Sequence, residues 1–288
     1  MNNQAEMPRR LGIIAGGGVL PAKLAAAAGA AGRSVFIIGL EGFADPALLA
    51  PWPHEIQRIG KAGRILAALR EHGCQDLVMI GPVRRPSLLD LRPDTEGARI
   101  LARLGRAVFA GDDGLLAAVI KVLGEAGFQV IGAHEVLREV LAPGGVLTRA
   151  APDAGAMADI KRGVEVARVL GTADVGQGCV VQQGLVLAVE AVEGTDAMLA
   201  RAATLRRDGF GGVLVKLVKP GQDKRADMPT IGPETVRRAA AAGLRGLAFE
   251  AQATILADRE ACLAAADAAG LFMIGLDPAV LCLKGDFQ

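Results

Sequence analysis

Short apolar runs alternate with alanine-rich amphipathic stretches through the first half of this chain, and that rhythm limits the available folds more than any other feature. LGIIAGG from Leu11 reads as a buried strand, PAKLAAAAGAAG as a helix, SVFIIGL from Ser34 as a second strand and GRILAALREHG as a helix. DLVMIGPV from Asp76 supplies a third strand, GLLAAVIKVLGEAG a helix and FQVIGAHEV a last strand. Strands that are apolar throughout rather than alternating belong to sheets covered on both faces, and the βαβ order makes such a sheet mostly parallel. The expected fold class is α/β, with a Rossmann-like N-terminal domain over 1–141.

Proline and glycine cluster in LAPGGVLTRAAPDAG, which places a linker at 142–155 and a second α/β domain at 156–288. There a helix is expected over 156–170, strands in GCVVQQG and LVLAVEAVEG, and a helix over 195–207. The strand GGVLVKLVKP follows, then a helix from near Pro233, the strand LRGLAFEAQATIL, the helix DREACLAAADAAG and the strand LFMIGL. A hairpin around Gln182, Gln183 and Gly184 would make this second sheet mixed.

Lysine and arginine number 32 against 31 acidic residues, so there is no basic excess of the kind that duplex binding uses. No uncharged apolar run reaches the roughly 18 residues of a membrane helix, and the N-terminal stretch runs straight into a patterned domain rather than reading as a signal peptide. Cys74, Cys179, Cys262 and Cys282 show no CxxC spacing, which fits reduced thiols in a cytoplasm. His54, His72 and His134 share no ligand spacing.

Several turns have the residues for chemistry. Gly16, Gly17 and Gly18 lie between the first strand and first helix, where backbone amides either cradle phosphate or close a tight turn. A dinucleotide fingerprint has Pro21 at its third glycine, while Glu41 stands where a ribose-binding acid would. Arg84 and Arg85 follow the third strand as an anion clamp or a solvated loop. Asp112 or Asp113 suits a helix cap. In VEGTDAML, Thr195 and Asp196 are cap residues, or Glu193 and Asp196 hold a cation.

The densest chemistry lies in VKPGQDKRADMPTIGPET, residues 218–235. Asp223, Arg225 and Asp227 recur at every second position, so an extended chain would project them to one side. Pro233 suits the first turn of a helix. Cations there neutralise diphosphate oxygens, one or two carboxylates hold Mg2+, and a further carboxylate orients or deprotonates water. A solvated loop with internal ion pairs is the alternative.

Taken together, IAGGGVLP, IGPVRRPSL, GDDGLL, VEGTDAML and KLVKPGQDKRADMPTIGPET resemble the LpxI-type UDP-2,3-diacylglucosamine pyrophosphatases, in order and over nearly the whole chain. The resemblance implies hydrolysis of UDP-2,3-diacylglucosamine to UMP and 2,3-diacylglucosamine 1-phosphate (lipid X) in lipid A biosynthesis. It also implies Mg2+, or Mn2+, a homodimer, and transient contact with the inner-membrane surface. The essential aspartate maps to Asp223 or Asp227, of which Asp227 directly precedes the PTIG turn. Asp227, Asp223 and Asp196 are the expected metal ligands. Gly16, Gly17, Gly18, Thr195, Lys216, Lys219, Gln222, Arg225 and Thr230 are the expected substrate contacts. A nucleotide-dependent oxidoreductase and a non-catalytic nucleotide or lipid carrier are the rival readings.

Overall fold

The computed structural model describes residues 9–84, 91–105 and 112–279. Arg85, Cys282 and the residue that would cap the helix at Asp112 lie outside them. The chain forms two compact units: 1–138 with 223–227, and 139–222 with 228–288.

In the first unit, β1 (Leu11–Ala15), β2 (Val35–Leu40), β3 (His54–Gln57), β4 (Asp76–Ile80) and β5 (Gln129–Val130) form one sheet in the order β3-β2-β1-β4-β5. Every pairing is parallel, and the order is that of a doubly wound sheet. Helices α1 (Leu20–Ala30), α2 (Pro46–Leu49), α3 (Ala62–Glu71), α4 (Thr95–Leu104), α5 (Asp112–Glu125) and α6 (Ala133–Val136) complete it. Phe36, Ile38 and Leu40 pack with Ile65 and Leu69 of α3 and with Ile120 and Leu123 of α5. Successive strand residues face opposite sides of a sheet, so Ile37 belongs to the other face, and it too is fully buried.

Two expectations change here. Strand β3 passes unnoticed in sequence because it is a sheet edge, half-exposed, with no apolar run. The strand expected in FQVIGAHEV stops at Val130, because Glu135 Oε1 accepts from the Gly132 N–H at 2.7 Å and starts a helical turn.

In the second unit, β6 (Gly145–Val146), β7 (Gly178–Gln182), β8 (Leu185–Val189), β9 (Val213–Lys216), β11 (Gly246–Glu250) and β13 (Phe272–Leu276) form a sheet in the order β6-β13-β11-β9-β7-β8. Strands β9, β11 and β13 run parallel, while β6, β7 and β8 pair antiparallel with their neighbours, so the sheet is mixed. Gln183 and Gly184 both adopt positive φ, 53° and 77°, as a two-residue hairpin turn requires. Strand β6 lies within the stretch read as linker, and LRGLAFEAQATIL divides into β11 and β12 (Ile255–Leu256), which pairs with β10 (Thr230–Ile231). Gln252, at φ 56°, breaks the run between β11 and β12.

Side-chain alternation divides the second unit's core. Helix α7 (Ala154–Thr172) covers the face bearing Val213 and Val215. Helices α8 (Gly194–Thr204), α9 (Pro233–Ala241) and α10 (Arg259–Ala268) cover the face bearing Leu214. Lys216, two residues beyond Leu214, therefore points toward the α8 side.

The glycine loop of the first unit is explained by close packing. Gly16 N–H donates to Ile80 O at 2.8 Å and Gly17 N–H to Pro82 O at 3.0 Å. A Cβ on Gly16 would lie 2.4 Å from the Gly81 carbonyl oxygen, whereas one on Gly29, exposed in α1, would meet nothing within 4 Å. Gly16→Ala is expected to destabilise by about 1–3 kcal/mol. Gly29→Ala should stabilise by about 0.5–1 kcal/mol, since glycine costs that much in a helix interior. Urea unfolding of the two variants beside the parent checks both signs.

Candidate active site

The carboxyl ends of parallel strands are where an open α/β sheet binds ligands, and in the second unit that edge carries buried charge. Lys216 ends β9 at 5% exposure, and Glu190, just past β8, is 6% exposed. The antiparallel pairing of β7 with β9 sets Gly178 beside Lys216, while Glu190 N–H bonds to Gly178 O at 2.8 Å. Lys216 Nζ donates to Thr195 Oγ1 at 2.5 Å and to Glu190 Oε1 at 3.3 Å, and the Thr195 hydroxyl donates to Glu190 Oε1. Glu190 Oε2 is buried with no hydrogen-bond partner among the described residues. Glycines make room for this residue: a Cβ on Gly176 would lie 2.1 Å from the Glu190 backbone carbonyl oxygen, and one on Gly178 2.9 Å from its carboxylate Oε2.

Thr195 is thus not a cap. Glu193 is the N-cap residue of α8, without a side-chain cap bond, and Thr195 and Asp196 sit inside the first turn. The pairing of Glu193 and Asp196 around a cation does not form either. Glu193 accepts from Arg201 Nη2 at 2.6 Å, and a hydrogen bond from its own backbone N–H, with Arg201 second, holds its carboxyl below the ordinary range. Asp196 lies 3.5 Å from Arg238 Nε. Glu190 escaped sequence reading because one acid in LVLAVEAVEG looks like a break in an apolar run. The signal available was its position at a strand end, five residues before Thr195.

Beyond β9 the loop is held by its own polar groups. Lys219, 8% exposed, reaches Asp174 Oδ1 at 2.6 Å, and its N–H donates to Gln222 Oε1 at 3.0 Å. Gln222 N–H donates back to Lys219 O at 3.1 Å, and Val218 N–H donates to Glu250 Oε2 at 3.2 Å. The Thr230 hydroxyl donates locally to Met228 O at 3.1 Å.

Residues 223–227 belong to the first unit and form a turn, not the extended stretch expected. Ala226 and Asp227 N–H both donate to Asp223 O, at 2.9 and 3.2 Å. Asp223 Oδ1 accepts from Arg225 N–H and Nε, both at 3.0 Å, and Oδ2 accepts from Nη2 at 2.6 Å. The aspartate side chain captures the backbone two residues on, and this local bond defeats the extended conformation. The Arg225 hydrogen bonds hold the Asp223 carboxyl below its ordinary range. Asp223 and Arg225 join Ile120, Lys121 and Gly124 of α5, with Phe128, Gln129 and Val130, around a cavity of about 550 Å³.

Among the described residues, no three His, Cys, Asp or Glu side chains gather for one metal ion. Mg2+ needs only one or two carboxylates when substrate phosphates and water complete its shell. Asp223 and Asp227 are partly exposed within one turn, where Arg225 engages the Asp223 carboxylate, and the exposed Asp196 is engaged with Arg238 in the second unit.

The rival features have local explanations. Glu41 Oε2 accepts from Arg58 Nε at 2.7 Å, and the Gly16 and Gly17 amides are bonded to backbone carbonyls rather than open to a pyrophosphate. Burial pushes the Cys74 thiol up to about 11 and the Cys179 thiol to about 12, which keeps both protonated at neutral pH. Arg84 is exposed beyond β4.

A parallel five-stranded unit followed by a mixed six-stranded unit, with cations and carboxylates paired at strand ends and in one charged turn, defines a two-unit α/β protein. Sequence models of the LpxI N-terminal domain and the LpxI C-terminal domain match residues 10–140 and 143–274. The chain belongs to the LpxI family. It is 48% identical over 276 residues to the UDP-2,3-diacylglucosamine pyrophosphatase LpxI of Caulobacter vibrioides, covering 94% of this chain and 98% of the relative.

Two outcomes follow from these geometries. Lys216→Met strands the Glu190 carboxylate without its counter-charge and should destabilise by about 3–5 kcal/mol, with Glu190→Gln in the same chain recovering part of the loss; urea unfolding of the single and double variants checks it. For Asp223, a depressed folded pKa means stability that is present above the ordinary carboxylate value, about 3.9, and lost as pH falls through the folded value. Arg225→Gln should therefore be less stable than the parent at neutral pH, with the gap closing in acid. Thermal unfolding across a pH series measures that closure.

Proposed function

We propose that this protein hydrolyses the diphosphate of UDP-2,3-diacylglucosamine, releasing UMP and 2,3-diacylglucosamine 1-phosphate, as a step of lipid A biosynthesis. The observation that carries this reading is the match to both LpxI domains, joined to a relative at 48% identity whose name states that substrate. The chemistry of the residues supports it. A diphosphate substrate needs positive charge on its oxygens, and the exposed Arg225 guanidinium can supply it, whereas Lys216 and Lys219 are buried in ion pairs with Glu190 and Asp174. Mg2+, or Mn2+, would be held by Asp227 and Asp223 and would neutralise the developing charge on the phosphoryl group. Asp227 orients the attacking water.

A homodimer belongs to the same proposal, as does transient contact with an inner-membrane surface, since the substrate carries two acyl chains. Among the described residues no helix is long and apolar enough to cross a membrane.

UMP release from UDP-2,3-diacylglucosamine, with and without Mg2+, tests the reading. The parent should turn over with metal. Asp227→Ala should lose about 10²- to 10⁴-fold in kcat, the range expected for a positioned proton acceptor, while still binding substrate. Near-parental rates in that variant would remove Asp227 from the mechanism, and absence of turnover in the parent would favour a carrier.

A further inference from the structure

The donors and acceptors around Thr195 leave one consistent arrangement. An ammonium has only N–H donors, so the Thr195 oxygen accepts from Lys216 Nζ at 2.5 Å. An ionised carboxylate only accepts, so the Thr195 hydroxyl proton goes to Glu190 Oε1. Lys216 and Glu190, both more than nine-tenths buried, lie behind a threonine that is itself only partly buried. The hydroxyl proton is therefore committed inward, and the one remaining lone pair of Thr195 Oγ1 is what the side chain offers a ligand.

We infer that Thr195 is a specificity residue that accepts a hydrogen bond from an uncharged O–H or N–H donor of the substrate, and that it does not contact a phosphate oxygen. A phosphate oxygen and the Thr195 oxygen are both acceptors, and with no proton between them they would repel, so a phosphate does not bind at Thr195. The unpartnered Glu190 Oε2 marks the cluster as built for something other than chain stability: a carboxylate left with an idle buried oxygen costs stability. Gly178 is what admits that carboxylate, since a Cβ there would lie 2.9 Å from Oε2. The inference rests on the proposed substrate, which carries such donors on both sides of its diphosphate: hydroxyls and an amide on the acylated sugar, hydroxyls and an imide N–H on the nucleoside.

Calorimetric titration of UMP, lipid X and inorganic pyrophosphate into the full chain separates the possibilities, comparing the parent with Thr195→Val and Thr195→Ser. Thr195→Val keeps the side-chain shape and removes the acceptor. It should weaken one of the two donor-bearing ligands by roughly tenfold or more, with pyrophosphate changed less than threefold; Thr195→Ser should restore the parental value. Loss for lipid X alone places the donor on the sugar, and loss for UMP alone places it on the nucleoside. Pyrophosphate weakened as much as either product would make Thr195 a phosphate ligand and overturn the inference. Unchanged binding of all three, or a parent that binds neither UMP nor lipid X, would overturn it as well. Thermal unfolding of each variant confirms that the folded chain is being titrated. Because these are binding measurements, a parent that binds lipid X yet releases no UMP refutes the hydrolytic reading and leaves this inference standing on the Thr195 comparison.

Discussion

A lysine ammonium buried at the end of a central strand constrains everything built around it in the second unit. Lys216 comes to lie there because strand side chains alternate and Leu214, two residues earlier, faces the core under α8. An unpaired ammonium in that place would be untenable, and the antiparallel β7–β8 hairpin answers by carrying Glu190 alongside. Glycines at 176 and 178 let the acid approach, and α8 begins where Thr195 can bridge the pair. Hairpin, helix start and strand end are thus tied to one electrostatic requirement.

The charged run works by a different device. Lys219 and Gln222 close their end through reciprocal bonds and an ion pair to Asp174, whose φ of 50° turns the chain after α7. Asp223 closes the next turn by capturing Arg225. Charge density in this segment therefore serves conformation, and Asp227 emerges as the second carboxylate of a turn already shaped by its neighbours. Composition alone cannot separate these roles, since an aspartate that caps a turn and one that meets a metal are the same letter.

The α/β class, the parallel first sheet and the mixed second sheet were legible in the sequence, because apolar runs in strands covered on both faces and two-residue turn signals are local. Strand β3 was not, since an edge strand buries too little to show a run, and β6 was hidden by the prolines and glycines around it. The charge density of 218–235 was legible from its residue types, and so was the resemblance that names the family. The extended geometry expected for Asp223, Arg225 and Asp227 failed because side-chain capture of the backbone is a competitor that spacing does not reveal. Glu190 was missed because its meaning depends on a strand pairing, not on its neighbours in sequence.

What the sequence by itself determined is the inventory and its periodicity: buried strands, amphipathic helices, a lysine two residues past a core leucine, and a charged run with a proline-started helix beyond it. Those follow from local propensity and alternation. Tertiary structure alone decided which charges meet. It brought Glu190 to Lys216 through the pairing of β7 with β8 and β9, directed the Thr195 proton inward, closed the glycine loop with the carbonyls of Ile80 and Pro82, and gave Asp223 to Arg225. The physical reason is that hydrogen-bond direction and ion pairing depend on distances of a few ångströms between residues far apart in the chain, and only packing sets those distances.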